Sequence, residues 1–184
     1  AACLSWQDGC VHSPTESAAV QSFVDAVSIW RLTDGAVGDI IDAATDCLVE
    51  GIGTPSLSIL AGESARESRF VLEPMIEDAV RELGRGELLD ADAQRAALGA
   101  MLRRFRAGTI SARDLARWAH RHIGHDGEPD CQIFVELDDI WDEADCFDAS
   151  DADLNAWMAR EADAFWAGRP SPGWPDSWRL RESK

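Results

Sequence analysis

The chain has no apolar run near the ~20 residues that a membrane-spanning helix needs. No positively charged start leads into an apolar stretch, so no signal peptide is expected. Lysine is nearly missing. Lys184 is the only one, and the other sixteen basic residues are arginines. With abundant alanine, this is the usage expected of a GC-rich genome. The five cysteines (Cys3, Cys10, Cys47, Cys131 and Cys146) form no CxxC pair and match no zinc-ribbon spacing. Cys47 and Cys146 sit in helical patterns, where a free thiol serves as a small hydrophobe. A reducing, cytoplasmic setting is expected; a Cys3–Cys10 bridge would require export. No strand-like alternation and no fixed-period repeat occurs. The GxSxG elbow, the phosphate-cradling glycine loop, HExxH and the Glu-x-x-His of di-metal bundles are all missing.

Basic charge is also scarce. Seventeen Lys and Arg stand against thirty-four Asp and Glu, a net charge of −17 over 184 residues. Phosphates would repel such a surface, which argues against nucleic acid and anionic membranes as partners. The surface suits a basic protein partner, or serves solubility. A hydrophobic content of 46% at helical spacing is too high for a disordered chain, and this length can bury one substantial core.

What is present is helical periodicity. Ser13-Pro14-Thr15-Glu16 reads as a helix start, followed by Val20, Phe23, Val24, Val27 and Trp30 at spacings of three and four. A second helix opens at Thr33-Asp34 and ends at Gly51. Thr54-Pro55 starts a short third one. The fourth runs from about Phe70 or Pro74 to Leu83, and the fifth from about Asp92 to Arg106. Ser111-x-x-Asp114 and Ser150-x-x-Asp153 are capping boxes with Asp in place of Glu, opening the sixth and eighth helices. Between them a seventh spans about Asp130 to Cys146, with Ile133, Phe134, Leu137, Ile140, Trp141 and Ala144 on its apolar stripe. The expected fold is all-α: a single-domain bundle of seven to eight helices over residues 13–168. An irregular tail over 1–12 precedes it and a Pro/Trp-rich tail over 169–184 follows.

Chemistry has few handholds. His120 and His122 lie two apart on a helix, so they point to opposite sides and cannot share a metal. His122 and His125 could converge, given a third ligand from a remote acid. Otherwise His122 on the apolar face is a core histidine, bonded to a backbone group or a carboxylate. Asp151, Asp153 and Asn155 mimic the start of a calcium loop, but Ala156 and Ala162 fall where Gly and Glu are needed. No metal, cofactor or catalytic residue is expected. The stripe Arg113, Arg117, Arg121 finds its natural partners on the adjacent acidic helix.

The densest feature runs from Glu128 to Asp163, where thirteen acids stand against Arg160 alone. Asp138 with Asp142 and Asp139 with Glu143 repel at i,i+4, by a few tenths of a kcal/mol each, so roughly in the range of other helix pairs. Acids at the C-terminal end of a helix also oppose its dipole. Folding alone gives no reason to put them there, which points to a positively charged partner. The expected contact residues are Glu136, Asp138, Asp139, Asp142, Glu143 and Asp145, with Trp174 and Trp178 of the tail.

The run Ile110-Ser111-Ala112-Arg113-Asp114-Leu115-Ala116-Arg117-Trp118, then His122-Ile123-Gly124-His125-Asp126-Gly127, then Leu137-Asp138-Asp139 on an acidic helix, resembles small helical proteins of actinobacteria. More distantly it resembles bacteriocin immunity proteins of the colicin D type. Gly53-Thr54-Pro55-Ser56-Leu57 with Leu60-Ala61-Gly62 is similar to a segment of uncharacterised actinobacterial proteins. The resemblance covers about residues 34–165 and carries no catalytic motif. It implies a bacterial helical bundle that masks a basic nuclease surface with carboxylates. The N-terminal region and the Trp-rich tail depart from it. Two other readings stand beside this one. The chain could be a scaffold or regulatory subunit docking through Trp174 and Trp178, or an enzyme with a helical site around His122 and His125.

Overall fold

The computed structural model describes residues 17–33, 35, 37–143 and 150–173. The expected N-terminal tail, the Ser13–Glu16 helix start, Asp145, Cys146, Trp174 and Trp178 lie outside the described residues. Among the described residues the protein is all-α, with nine α-helices, one 3-10 turn and no strand. They fall into two compact units, drawn from Ala1–Val24 plus Gly38–Leu89 and from Asp25–Val37 plus Asp90–Lys184.

The first unit takes the beginning of α1 (Ala18–Thr33), most of α2 (Val37–Val49), all of α3 (Pro55–Leu60) and α4 (Arg69–Glu82), and most of α5 (Glu87–Asp90). Its buried side chains follow the helical period read from the sequence: Val20 and Phe23, Ile40 and Ala44, Leu57 and Leu60, Ile76, Ala79 and Val80. The start of α3 is fixed twice. Thr54 Oγ1 accepts the Leu57 N–H at 3.3 Å, and Pro55 fills the first helical position. Glu82, at the end of α4, accepts both the N–H and the hydroxyl of Ser56 at 3.0 Å. Hydrogen bonds from Thr54 and then Ser56 hold the Glu82 carboxyl below its ordinary range. The single-turn α5 was not legible in the sequence, because four residues carry too little periodicity to register.

The second unit takes α1 from Asp25 onward, α6 (Ala93–Arg106), α7 (Ala112–His122), the 3-10 turn Pro129–Cys131, α8 (Gln132–Asp142) and α9 (Asp151–Trp166). Leu98, Leu102, Leu115, Phe134, Leu137 and Trp157 are fully buried at its centre. Trp157, the largest of these side chains, is 0% exposed. Both Ser–Asp capping boxes form as read. Ser111 Oγ accepts the Asp114 N–H and Ser150 Oγ the Asp153 N–H, with each aspartate reaching back to its cap. Arg103 grips Asp25 through Nε at 2.9 Å and Nη2 at 2.6 Å, tying α6 to α1 within this unit. The acidic helix begins two residues later than expected, after the 3-10 turn. It closes at Glu143, whose N–H returns to Asp139.

Candidate functional site

Helices α7 and α8 make the most extensive helix contact in the second unit. They run in opposite directions. Arg113 at the start of α7 reaches Asp142 at the end of α8 at 3.4 Å. His120, near the end of α7, reaches Asp138 at 3.0 Å through Nδ1. Ala112, Leu115, Ala116 and Ala119 bury one face of α7, while Arg117 and Arg121 stand exposed and form no ion pair among the described residues. The arginine stripe therefore supplies one partner to the acidic helix, Arg113, and histidines supply the rest.

The acidic face divides accordingly. Asp138 and Asp139 turn toward α7; Asp139 Oδ1 lies 3.5 Å from His120 Nδ1 and its Oδ2 lies 3.5 Å from His125 Nε2. Glu136, Asp142 and Glu143 are exposed. No side-chain hydrogen bond or ion pair involves Glu136 or Glu143 among the described residues. At the start of α9, Asp153 serves its capping box, and Asp151 Oδ1 accepts from the Trp141 indole at 3.3 Å. Those two acids also sit at a helix N-terminus, where the dipole favours them. On α8 and its cap, among the described residues, Glu136 and Glu143 are thus left without an in-chain partner for their carboxylates, while the exposed Asp142 has only Arg113, and Asp142 and Glu143 lie at the unfavourable end of the helix.

His125 reaches this site through a pinned loop. Gly124 takes φ +70° just past α7, a left-handed turn that L residues seldom adopt. Gln132 donates its amide to the Gly124 carbonyl at 3.1 Å, and Gln94 Oε1 accepts the Glu128 N–H at 2.7 Å. At Gly127 an added Cβ would lie 2.4 Å from Ile123 Cγ2 and 2.8 Å from Gln94 Oε1. The loop folds back so that the His125 ring meets the His120 ring edge to face, with centroids 5.0 Å apart. The sequence pairs His125 with His122 instead. The chain leaves the helix at Ile123, beyond which helical angles no longer apply, and the cluster of donors takes in His120. His122 lies tilted against the Trp118 ring at 5.5 Å and, contrary to its reading as a bonded core histidine, its ring has no hydrogen-bond partner among the described residues. Burial, and then the Arg121 charge, hold its pKa below that of an ordinary imidazole.

A second feature escaped the sequence. Glu161 on α9 is 1% exposed, and its Oε2 has no hydrogen-bond partner among the described residues. Its Oε1 accepts the Trp157 indole N–H at 2.7 Å. Glu161 lines a cleft of about 350 Å³, together with Arg95, Ile133, Phe134, Phe165 and Arg169. Arg95 lies over the Phe165 ring at 4.8 Å and pairs with Asp130. In the sequence Glu161 reads as one more acid on a charged helix. The apolar period of α9 passes through Leu154, Trp157, Met158 and Ala162, and Glu161 lies one turn beyond Trp157 on that face.

No family model matches the chain, and no curated protein or solved structure matches it.

Proposed function

We propose that this chain is an acidic helical protein-binding module, immunity-like, that neutralises a basic toxin- or nuclease-type protein by covering its working surface. The observation that carries the reading is the exposed set Glu136 and Asp142 on α8 and Glu143 at its C-cap. Asp142 and Glu143 oppose the dipole of their own helix, and Glu136 and Glu143 have no in-chain cation among the described residues. A partner's arginines or lysines would relieve that repulsion, raise the association rate and fix the register of docking. Asp138 and Asp139 contribute to the field of this face, but their first contacts are His120 and His125. The absence of any helix long and apolar enough to cross a membrane, among the described residues, agrees with a role that needs no bilayer.

The test is capture from the native host, identification of what is captured, and titration of the purified pair. A single basic protein whose association slows steeply as salt rises supports the reading. A partner bound with no salt dependence, or one as acidic as this chain, contradicts it.

A second reading rests on Glu161. A buried carboxylate with a free acceptor beside an apolar cleft suits a small ligand that offers an N–H or O–H to Oε2 and packs on Phe134 and Phe165. Screening amine- and alcohol-bearing fragments for chemical-shift changes at the Trp157 indole tests it. Binding that survives Glu161→Gln unchanged would count against it.

A further inference from the structure

His120, His125 and Asp139 bring one donor atom each to within 4.8 Å of one another. We propose that they form a binding site for a single divalent transition ion of the zinc type, with water completing its coordination. This goes beyond the protein-binding reading and does not depend on it.

The spacing of the donors supports the inference. Ligands held at about 2.1 Å around a tetrahedral ion stand roughly 3.4 Å from one another. His120 Nδ1 lies 3.5 Å from Asp139 Oδ1 and His125 Nε2 lies 3.5 Å from Asp139 Oδ2, so the two rings flank the same carboxylate, and with one donor atom per residue the three stand within 4.8 Å, a spread that a bound ion would draw in. Asp138 Oδ2, 3.0 Å from His120 Nδ1, stands outside the three-donor cluster and acts on His120 rather than on the ion. Without metal, that carboxylate accepts the ring N–H and keeps the imidazole turned toward the site.

The donor set selects the ion. Two imidazoles with carboxylate oxygens suit zinc, cobalt or nickel rather than calcium or magnesium, which take oxygen ligands. Asp139 is 45% exposed and His125 57%, so the ion would keep access to water. His120 lies in the last turn of α7, whose carbonyl end favours a cation. Rigidity comes from the loop, since Gly124, Gln132, Gln94 and the close-packed Gly127 fix where His125 can stand. Acids alone do not define the site. The two rings do, and they arrive from a helix and a pinned loop.

The test is calorimetric titration of the full chain with zinc chloride, paired with the visible spectrum of the cobalt(II) form. One ion per chain is expected, with the stronger d–d absorption of a four-coordinate site. His120→Ala and His125→Ala should each weaken zinc binding at least about tenfold, and Asp139→Asn likewise. His122→Ala, outside the cluster, should leave it unchanged. Helical circular dichroism reports whether each variant folds, and His125, in an exposed loop, can be removed without touching the core. Zinc bound equally well by the His120→Ala/His125→Ala double variant would place the ion elsewhere, on cysteines for example, and overturn the proposal. So would failure of the wild-type chain to bind zinc at micromolar concentration.

Discussion

The indole N–H of Trp157 donates to Glu161 Oε1 at 2.7 Å, one turn along α9, while Glu161 Oε2 faces no donor among the described residues. An unmet buried acceptor costs about 1–3 kcal/mol. Glu161→Gln keeps an oxygen for the indole and removes the buried charge, so its melting temperature should equal or exceed that of the wild type. Glu161→Ala removes the hydrogen bond and leaves a cavity, and should lose about 2–4 kcal/mol in urea denaturation. An alanine variant as stable as the wild type would mean that the carboxylate is not held as described.

Gly127 has no room for a side chain. Besides the two side-chain contacts, an added Cβ would lie 3.1 Å from the Ile123 carbonyl, which cannot rotate away. Gly127→Ala should therefore destabilise the second unit by about 1–3 kcal/mol. It should also separate the His125 and His120 rings, seen as a changed His125 imidazole shift in NMR. If the His125 resonance keeps its wild-type position, the loop is not pinned by that glycine.

Cys47 and Cys131 are free and fully buried, one in each unit. Desolvation first, then neighbouring acids, push their thiols up to about 11 and about 12. Neither should react with a maleimide at neutral pH until the chain unfolds, so labelling read by peptide mass gives the opening rate of each unit. Rapid labelling of Cys131 in the folded protein would contradict its burial.

The capping boxes set part of the acid limb of stability. Hydrogen bonds from Ser111 and Ser150 hold the Asp114 and Asp153 carboxyls below their ordinary value of 3.8. A depressed folded pKa contributes stability that is present above the unfolded value and lost as pH falls through the folded one. Asp114→Asn and Asp153→Asn should therefore cost stability at neutral pH and little at the acid end. Parallel melting curves from pH 7 downward check this; a constant difference at every pH would show that the effect is not ionic.

Much of this fold could be read directly from residue spacing. Caps at Thr54, Ser111 and Ser150, stops at Gly51, Gly84 and Gly108, and stripes such as Leu115–Ala119 all act within a few residues, where local physics decides. The site was less legible because its geometry is made by tertiary contacts. His125 meets His120 because its loop folds back against Gln94, which takes the N–H of Glu128, thirty-four residues away in sequence. Charge density drew attention to α8, but could not tell Asp138 and Asp139, which turn toward α7, from Glu136 and Glu143, which do not. The burial of Glu161 depends on Trp157 reaching the core, and acids read from sequence are assumed to face water.

The most direct measurement is the affinity of the captured basic partner for Glu136→Lys/Asp142→Lys/Glu143→Lys, set beside the wild type and a His122→Ala control. These three acids carry no core contact, so the triple variant should fold with an unchanged far-ultraviolet spectrum. If the exposed end of α8 is the docking face, affinity should fall at least a hundredfold, mostly through slower association at low salt. A triple variant that binds as tightly as the wild type would remove the acidic helix from the interface and contradict the proposed function.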